Sequence, residues 1–408
     1  MMDNLIVGLD IGTTKTCAVI GSLNENKQVE VAGVGVAPTG GMKNGIIINI
    51  DNTVESIEKA IDDAELMAGY EVDSVFMGIS GEHIKGQNSK GVVAITNRQR
   101  TISDIEVKRV IEAAQAIVIP VDREIIHVLS KEFAVDDQLG VKDPVGMTGV
   151  RLEAEVHIIT GSTASLQNMT KSVEKAGFRY HDIAFNPIAS AQAVLSKDEE
   201  ELGVALIDIG GGTTDIVVYV NGGIVYSAVL PVGGMNVTND ISIGLRTPFE
   251  SAEMLKKKHG CSVLELVGSS EVVEVPSVGG RAPKSLFKQE LTQIIEPRIM
   301  EIMEMIEQEL LKSGIKEMLA AGIVLTGGGS MLDGSLESAE KVFNMPVRIG
   351  EPKDIVGLKD IVATPQYANG VGLLKYGIMM NQFRGKSRYD KNRGSLMGKM
   401  KKWLEDYL

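Results

Sequence analysis

With 408 residues and a net charge of −13, the chain is longer than one ordinary domain and too acidic for a general nucleic-acid binder, which needs a basic footprint. Two cysteines, Cys17 and Cys261, exclude a disulfide framework and suit a reducing compartment, while the five histidines show no metal-ligand spacing. No apolar run reaches the roughly 20 residues that span a bilayer and no signal peptide opens the chain, so the expectation is a soluble intracellular protein unless something anchors it.

Strands and helices alternate through most of the chain, which places it in the α/β class. The first apolar run, LIVGLDIG from Leu5, ends in Gly12, Thr13, Thr14 and Lys15 and continues as TCAVIGSL, the pattern of a hairpin. A helix is predicted over 52–69, then the strand SVFMGIS (74–80). Residues 84–164 read as an inserted small α/β subdomain, with a helix over 103–117 and strands EIIHVLSKEFAV and RLEAEVHIIT. Helices follow over 162–177 and 187–196. The segment ALIDIGGGTTDIVVYV, Ala205 to Val220, then repeats the opening hairpin almost word for word. A long helix is predicted over 286–312, its Met and Leu stripe read as core. GIVLTGGGS, Gly322 to Ser330, is a third apolar strand ending in glycines.

A Gly/Thr hairpin turn aims backbone N–H groups and hydroxyls at one anion, because glycine lets the backbone approach closely. An aspartate at the strand end acts on such an anion through a cation. Asp10 and Asp208 are therefore the candidates to hold Mg²⁺ through its waters beside phosphates. Two copies with the aspartate in register are a much stronger signal than one glycine-rich turn. No GxxxxGK[ST] occurs, and no GxGxxG opens a helix after a strand, so P-loop and Rossmann sites are disfavoured.

This constellation resembles the actin-like ATPase superfamily. The implied fold is two duplicated domains around a nucleotide cleft, with ATP and Mg²⁺ as cofactors. Residues 10–16 resemble its first phosphate motif, 208–215 its second and 325–330 its adenosine motif. NPIASAQAVL (186–195) and ATPQYANGVGLL (363–374) resemble the two connecting helices at its hinge. SAEMLKKKHG (251–260) resembles the helix that reaches ribose and adenine, here with Glu253 and Lys256. The implied nucleotide set is Asp10, Gly12, Thr13, Thr14, Lys15, Gly210, Gly211, Gly212, Thr213, Thr214, Glu253, Lys256, Gly327, Gly328, Gly329 and Ser330. Lys15 either touches a phosphate or is simply solvated. Binding is better supported than turnover: Asn186 stands where a water-orienting acid or amide is expected, with Gln192 as its substitute. Asp208 and Asp215 complete the candidate catalytic set, and Asp215 either holds a water or caps its turn. Slow or vestigial hydrolysis is the expectation.

Within that superfamily the whole chain resembles the FtsA family of bacterial cell-division proteins. The insertion after VFMGISGEHI, the stretch VEVPSVGGRAPKSL, the following EPRIMEIMEMI and the tail carry the resemblance. It implies an ATP-binding protein that polymerises with itself on the inner face of the cytoplasmic membrane at the division site. Its implied partners are the FtsZ C-terminal tail, anionic lipids and other division proteins met through the insert. It also implies Arg281, Lys284, Lys288 and Arg298 as candidates to meet the FtsZ tail. A pilus-assembly adaptor or a sugar or acid kinase of the same fold are the alternatives.

The expected division is 1–83 with 165–198 as the first core, 84–164 as the insert, 199–232 with 315–381 as the second core, and 233–314 as a small subdomain over the nucleotide. A flexible basic linker over 382–394 and an amphipathic helix over 395–408 follow. In SLMGKMKKWLEDYL, a helical period puts Leu396, Met397, Met400, Trp403, Leu404, Tyr407 and Leu408 on one face. That pattern suits a helix lying in a membrane interface or one docked on its own domain, and the basic linker favours the membrane.

Overall fold

A computed structural model describes residues 5–280 and 282–386. Each half of the molecule grows from one copy of the repeated hairpin. β1 (Ile6–Ile11) and β2 (Lys15–Leu23) pair antiparallel, and β3 (Val29–Pro38) extends the ladder. All six residues of β1 are buried, as expected of a strand covered on both faces. A small ribbon, β4 (Met42–Lys43) with β5 (Ile46–Ile47), leads to α1 (Ile50–Ala68). The Asn49 side chain caps the start of α1, and Gly69, at φ 64°, ends it. β6 (Ser74–Ile79) lies parallel to β1. α1 lies so close to β3 that a Cβ on Gly35 would fall 1.9 Å from the Ala60 carbonyl oxygen.

The chain then leaves this sheet. β7 (Lys85–Ala94), α2 (Asp104–Gln115), β8 (Arg123–Val135), β9 (Gln138–Val141) and β10 (Arg151–Ser162) form a separate antiparallel sheet in the order β7-β10-β8-β9. α2 covers it around a core of its own that includes Val110, Ile111, Leu152 and Ile158. A capping box at Ser103 and Glu106 fixes the start of α2. The chain returns through α3 (Thr163–Lys175) to β11 (Arg179–Phe185), parallel to β6, and on to α4 (Asn186–Val194).

After α5 (Lys197–Leu202), the second hairpin builds the second sheet from β12 (Val204–Ile209), β13 (Thr214–Val220) and β14 (Gly223–Leu230). Next come α6 (Gly234–Leu245), α7 (Phe249–His259), a ribbon of β15 (Val272–Val275) with β16 (Lys284–Phe287), and α8 (Lys288–Ser313). β17 (Gly322–Thr326), α9 (Ser335–Phe343) and β18 (Val347–Ile349) complete the sheet in the order β14-β13-β12-β17-β18. The first sheet carries β3-β2-β1-β6-β11, so the two match strand for strand: two antiparallel steps, then two parallel ones.

Two expectations need correction. The segment after β18 does not stay with the second half. β19 (Ile355–Gly357) pairs with β3, and after α10 (Lys359–Val362) the last helix, α11 (Ala368–Lys386), packs on β1. The close fit explains it: a Cβ on Gly8 of β1 would fall 2.6 Å from the Leu374 nitrogen. The expected linker also begins too early, because α11 runs through Lys386. A nucleated helix propagates cheaply through Gln, Arg and Lys. The rest of the linker and the amphipathic segment over 395–408, with its apolar face from Leu396 to Leu408, lie outside the described residues. Among the described residues no helix is long and apolar enough to cross a membrane.

The insert, though spliced into the first half, is bolted to the edge strand of the second. His157 of β10 is buried, and its Nδ1 donates to Asn88 Oδ1 (2.6 Å) while Nε2 accepts from Ser227 of β14 (2.8 Å). Asn88 donates in turn to the Val225 carbonyl (3.1 Å). Burial, aided by Lys131, pushes the imidazole pKa down to about 4, so the ring is neutral and has one N–H to give.

Candidate functional site

The two hairpins close in the same way. Gly12 N–H donates to Lys15 O (3.0 Å), and Gly210 N–H donates to Thr213 O (2.9 Å). Both are four-residue turns, with Asp10 and Asp208 at equivalent places in the strands before them. In this register Cys17, opposite Asp10, is the counterpart of Asp215, opposite Asp208. The tips touch: a Cβ on Gly211 would fall 2.5 Å from Thr14 Cγ2, and one on Gly212 would fall 2.7 Å from Thr13 Oγ1. Between the hairpins lies a cleft of about 670 Å³, within the range of ligand sites.

The structure gathers most of the expected residues around this cleft. Asp10, Gly12, Thr13, Thr14 and Lys15 line one wall, and Asp208, Gly210, Gly211, Thr213 and Asp215 the other. Gly327, Gly328, Gly329, Glu253, Lys256 and Asn186 complete it. Gly327 has φ 82° and lies against Asp208, where a Cβ would fall 2.2 Å from Oδ1. Three expected residues do not reach the cleft. Thr214 is opposite Ile209 in the ladder, is fully buried, and donates to the Val232 carbonyl (2.8 Å). Ser330 donates to Gly327 O (2.8 Å) and closes its own turn. Gly212 packs on Thr13. Gln192 is not among the lining residues, and its carbonyl accepts from Lys375 (3.3 Å).

Three carboxylates crowd the cleft floor. Burial, opposed by Lys15 and reinforced by Asp208, pushes Asp10 up from 3.8 to about 6. Burial also raises Asp208 to about 6, against the hydrogen bond from Ser190, the charge of Lys15 and the Asn369 side chain. Burial and the Asp208 charge hold Asp215 well above the usual carboxylate range. Asp215 does not simply cap its turn: Ser80, at the end of β6 in the other half, donates to its Oδ1 at 2.5 Å. Lys15 is half-buried, donates to the Gln366 carbonyl (2.5 Å) and sits 4.6 Å over the Tyr367 ring, so it is partnered inside the cleft. At the far end Lys256 pairs with Glu253 (2.7 Å) and donates to Thr238 Oγ1 and Gly234 O. Burial alone would raise the Glu253 carboxyl, but Lys256, Thr238 and Lys257 hold it below the usual value.

Sequence reasoning missed Ser80, Ser190, Gln366 and Asn369. Ser190, Gln366 and Asn369 stood inside the connecting-helix motifs as unassigned polar residues. It also missed α6, whose first N–H groups, Gly234 and Met235, donate to Gly210 O (2.9 Å) and Gly211 O (2.8 Å). The GlyGly pair at 233–234 was the available signal.

The residues fit a polyphosphate with a hydrated cation. Adjacent buried carboxylates call for positive charge, and the Asn186 Oδ1 is buried without a partner. Among the described residues no three acidic, His or Cys side chains converge as direct ligands of one metal. A cation here would therefore keep its own water shell, as Mg²⁺ does.

The expected FtsZ-contact cations behave differently from one another. Lys284 is exposed on β16. Lys288 pairs with Glu271 (3.1 Å), and Arg298 with Asp240 (2.5 Å) and Glu301, so both are engaged internally. Arg281 lies outside the described residues.

Residues 205–372 match the family model described as cell division protein FtsA, and residues 81–160 match the SHS2 domain inserted in FtsA. The cell division protein FtsA of Pseudomonas aeruginosa is 45% identical, covering 98% of this chain and 97% of its own length. That of Escherichia coli K12 is 41% identical over 99% of this chain and 97% of its own. That of Bacillus subtilis 168 is 41% identical over 94% and 86%. Among solved structures, a PilM-PilN type IV pilus biogenesis complex aligns with TM-score 0.65 at 16% identity, covering 91% of this chain and 98% of that one. MreB5 of Spiroplasma citri bound to ADP aligns with TM-score 0.54 at 14% identity, covering 95% and 99%. At these identities the structures establish the shared actin-like fold and no more.

Proposed function

The chain belongs to the FtsA family of cell division proteins, and we propose that it is an ATP-binding, actin-like filament protein that ties the FtsZ ring to the cytoplasmic membrane. The observation that carries the nucleotide part is the pair of equivalent hairpins facing each other across one cleft, each with a buried aspartate beside a glycine turn. The turns would cradle the phosphates, and Glu253 with Lys256 would meet the ribose and base. Asp10 and Asp208 would hold Mg²⁺ through its waters. Bound there, Mg²⁺ would neutralise phosphate charge that the three carboxylates otherwise repel. Asn186, an amide and a weak base, orients a water at best, which supports slow turnover.

The membrane and FtsZ parts of the reading rest on family membership and on the sequence of the tail. Several basic residues and one short apolar face give a weak, reversible anchor, which polymerisation multiplies by avidity. With Lys288 and Arg298 engaged in ion pairs, Lys284 and Arg281 are left as the first candidates to meet an acidic FtsZ tail. Recruitment of later division proteins falls to the insert, whose exposed apolar residues include Val92, Ile105 and Leu139.

The test is co-pelleting with anionic vesicles, for the full chain and for a version ending at Gly394, with and without ATP and Mg²⁺. The reading requires that only the full chain pellets and that ATP increases the amount. If the full chain stays in solution under every condition, the membrane tether is wrong.

A further inference from the structure

Asp208 is the one carboxylate of the cleft floor held from two helices at once. Ser190 of α4 is fully buried, and its Oγ lies 2.8 Å from Asp208 Oδ2 and 2.5 Å from Asn369 Oδ1 on α11. A hydroxyl has one proton to give. That proton faces two acceptors, Asp208 Oδ2 and Asn369 Oδ1, and the carboxylate is the stronger of the two. The amide of Asn369 also supports the carboxylate directly.

The two helices cannot shift independently at this point. They cross so closely that a Cβ on Gly372 would fall 2.0 Å from the Ala189 carbonyl oxygen, next to Ser190 and one turn from Asn369. α11 is in turn seated on β1 at Gly8, in the first half of the molecule. Asp208 itself stands on β12, in the second half. Among the described residues Asp10 has no equivalent mounting, and its side-chain hydrogen bond there is from Asn186 at 3.4 Å.

Resting on the reading of the cleft as a nucleotide and cation site, we propose that Ser190 and Asn369 are positioning residues that aim Asp208 at the hydrated cation, making cation binding depend on the helix crossing at the seam between the halves. Ser190 is not among the residues lining the cleft, and Asn369 lines it beside Asp208. Their effect is confined to the cation-dependent share of affinity, and the cation-free share stays where it was. Outer-shell partners of this kind commonly change metal affinity about 10-fold or more when removed.

The test measures ADP affinity by calorimetry, in Mg²⁺ and in EDTA, for the wild type, Ser190→Ala, Asn369→Ala and Asp208→Asn. Asp208→Asn sets the full loss of the Mg²⁺-dependent gain. Ser190→Ala and Asn369→Ala are each expected to lose about 10-fold of that gain, with the dissociation constant in EDTA changed less than about 2-fold. A gain equal to wild type in both variants overturns the proposal, as does an equal weakening with and without Mg²⁺, which marks a merely structural role. If one variant fails to fold, the other, on a different helix, decides alone. A wild type that binds no ADP refutes the parent reading, and the proposal falls with it. A wild type that binds ADP without any Mg²⁺ gain refutes the proposal and leaves nucleotide binding intact.

Discussion

Asp208→Asn is expected to make the nucleotide-free protein more stable. A carboxyl with a folded-state pKa near 6, against an ordinary value of 3.8, carries a penalty of about 3 kcal/mol when ionised. The amide keeps the shape and an acceptor for Ser190, carries no charge, and relieves Asp215, which the Asp208 charge pushes upward. Since an amide is not a protonated carboxyl, the expected gain at pH 7 is about 1–3 kcal/mol. The pH dependence follows from the direction of the shift. Below about 4 the wild-type group is protonated in both folded and unfolded chains, and no penalty exists. Between about 4 and 6 the unfolded chain releases its proton first, so wild-type stability falls as pH rises. Above about 6 the penalty is complete. The gap between variant and wild type should therefore open from pH 4 to 6 and stay constant to pH 8. The assay is urea denaturation in EDTA without nucleotide, followed by far-ultraviolet circular dichroism. A variant less stable than wild type at pH 7, or a gap independent of pH, would refute the reasoning. With Mg²⁺ and ATP added the order should reverse, because ligand stabilises each protein according to its affinity and the variant lacks the Mg²⁺-dependent gain.

Two further outcomes follow from contacts elsewhere. Gly211→Ala places a methyl 2.5 Å from Thr14 Cγ2 at the meeting of the turn tips, so it should weaken ADP binding about 10-fold or more, read by titration with a fluorescent ADP, while stability moves by less than about 1 kcal/mol because a side chain can yield. Ser227→Ala leaves the buried His157 Nε2 without its donor and should cost about 1–3 kcal/mol in the same urea assay, with ADP affinity unchanged.

What was legible in the sequence was what local chemistry dictates. The two hairpins were legible because a glycine turn after a buried strand tolerates few residues, and α2 ends within two residues of the expected 103–117 span. Strand alternation could have removed Thr214 from the ligand set, since Asp208 and Asp215 share one face of the ladder and Ile209 and Thr214 the other. Contacts such as Ser80 to Asp215 and Ser190 to Asp208 were not legible. A serine is ordinary in any sequence, and only the fold brings residues 135 positions apart within 2.5 Å. The return of β19 and α11 to the first sheet was hidden for the same reason: nothing in an apolar helix names the sheet it will cover.

The links on the cleft floor have a common form that bears on what closes the molecule. Asp215 of the second half is held by Ser80 of the first, and Asp208 by two helices at the seam; among the described residues Asp10 takes the long contact from Asn186. Each bond is a neutral donor offered to a carboxylate. Neutral donors offset part of the burial cost of one charge, but they do nothing for the repulsion among three. Lys15 opposes the charge of Asp10 and Asp208, but one cation faces three carboxylates, so closing the halves on an empty cleft would concentrate like charge and opening them would relieve it. A ligand moves such an equilibrium only by the difference in its affinity for the two states. ADP alone adds negative charge to the same floor and has little of that difference to offer. A nucleotide that arrives with its cation removes the repulsion as it binds, and its affinity is greatest where the carboxylates stand closest. On this argument a bound nucleotide with its cation would favour a closed form through the cation more than through the base or the sugar.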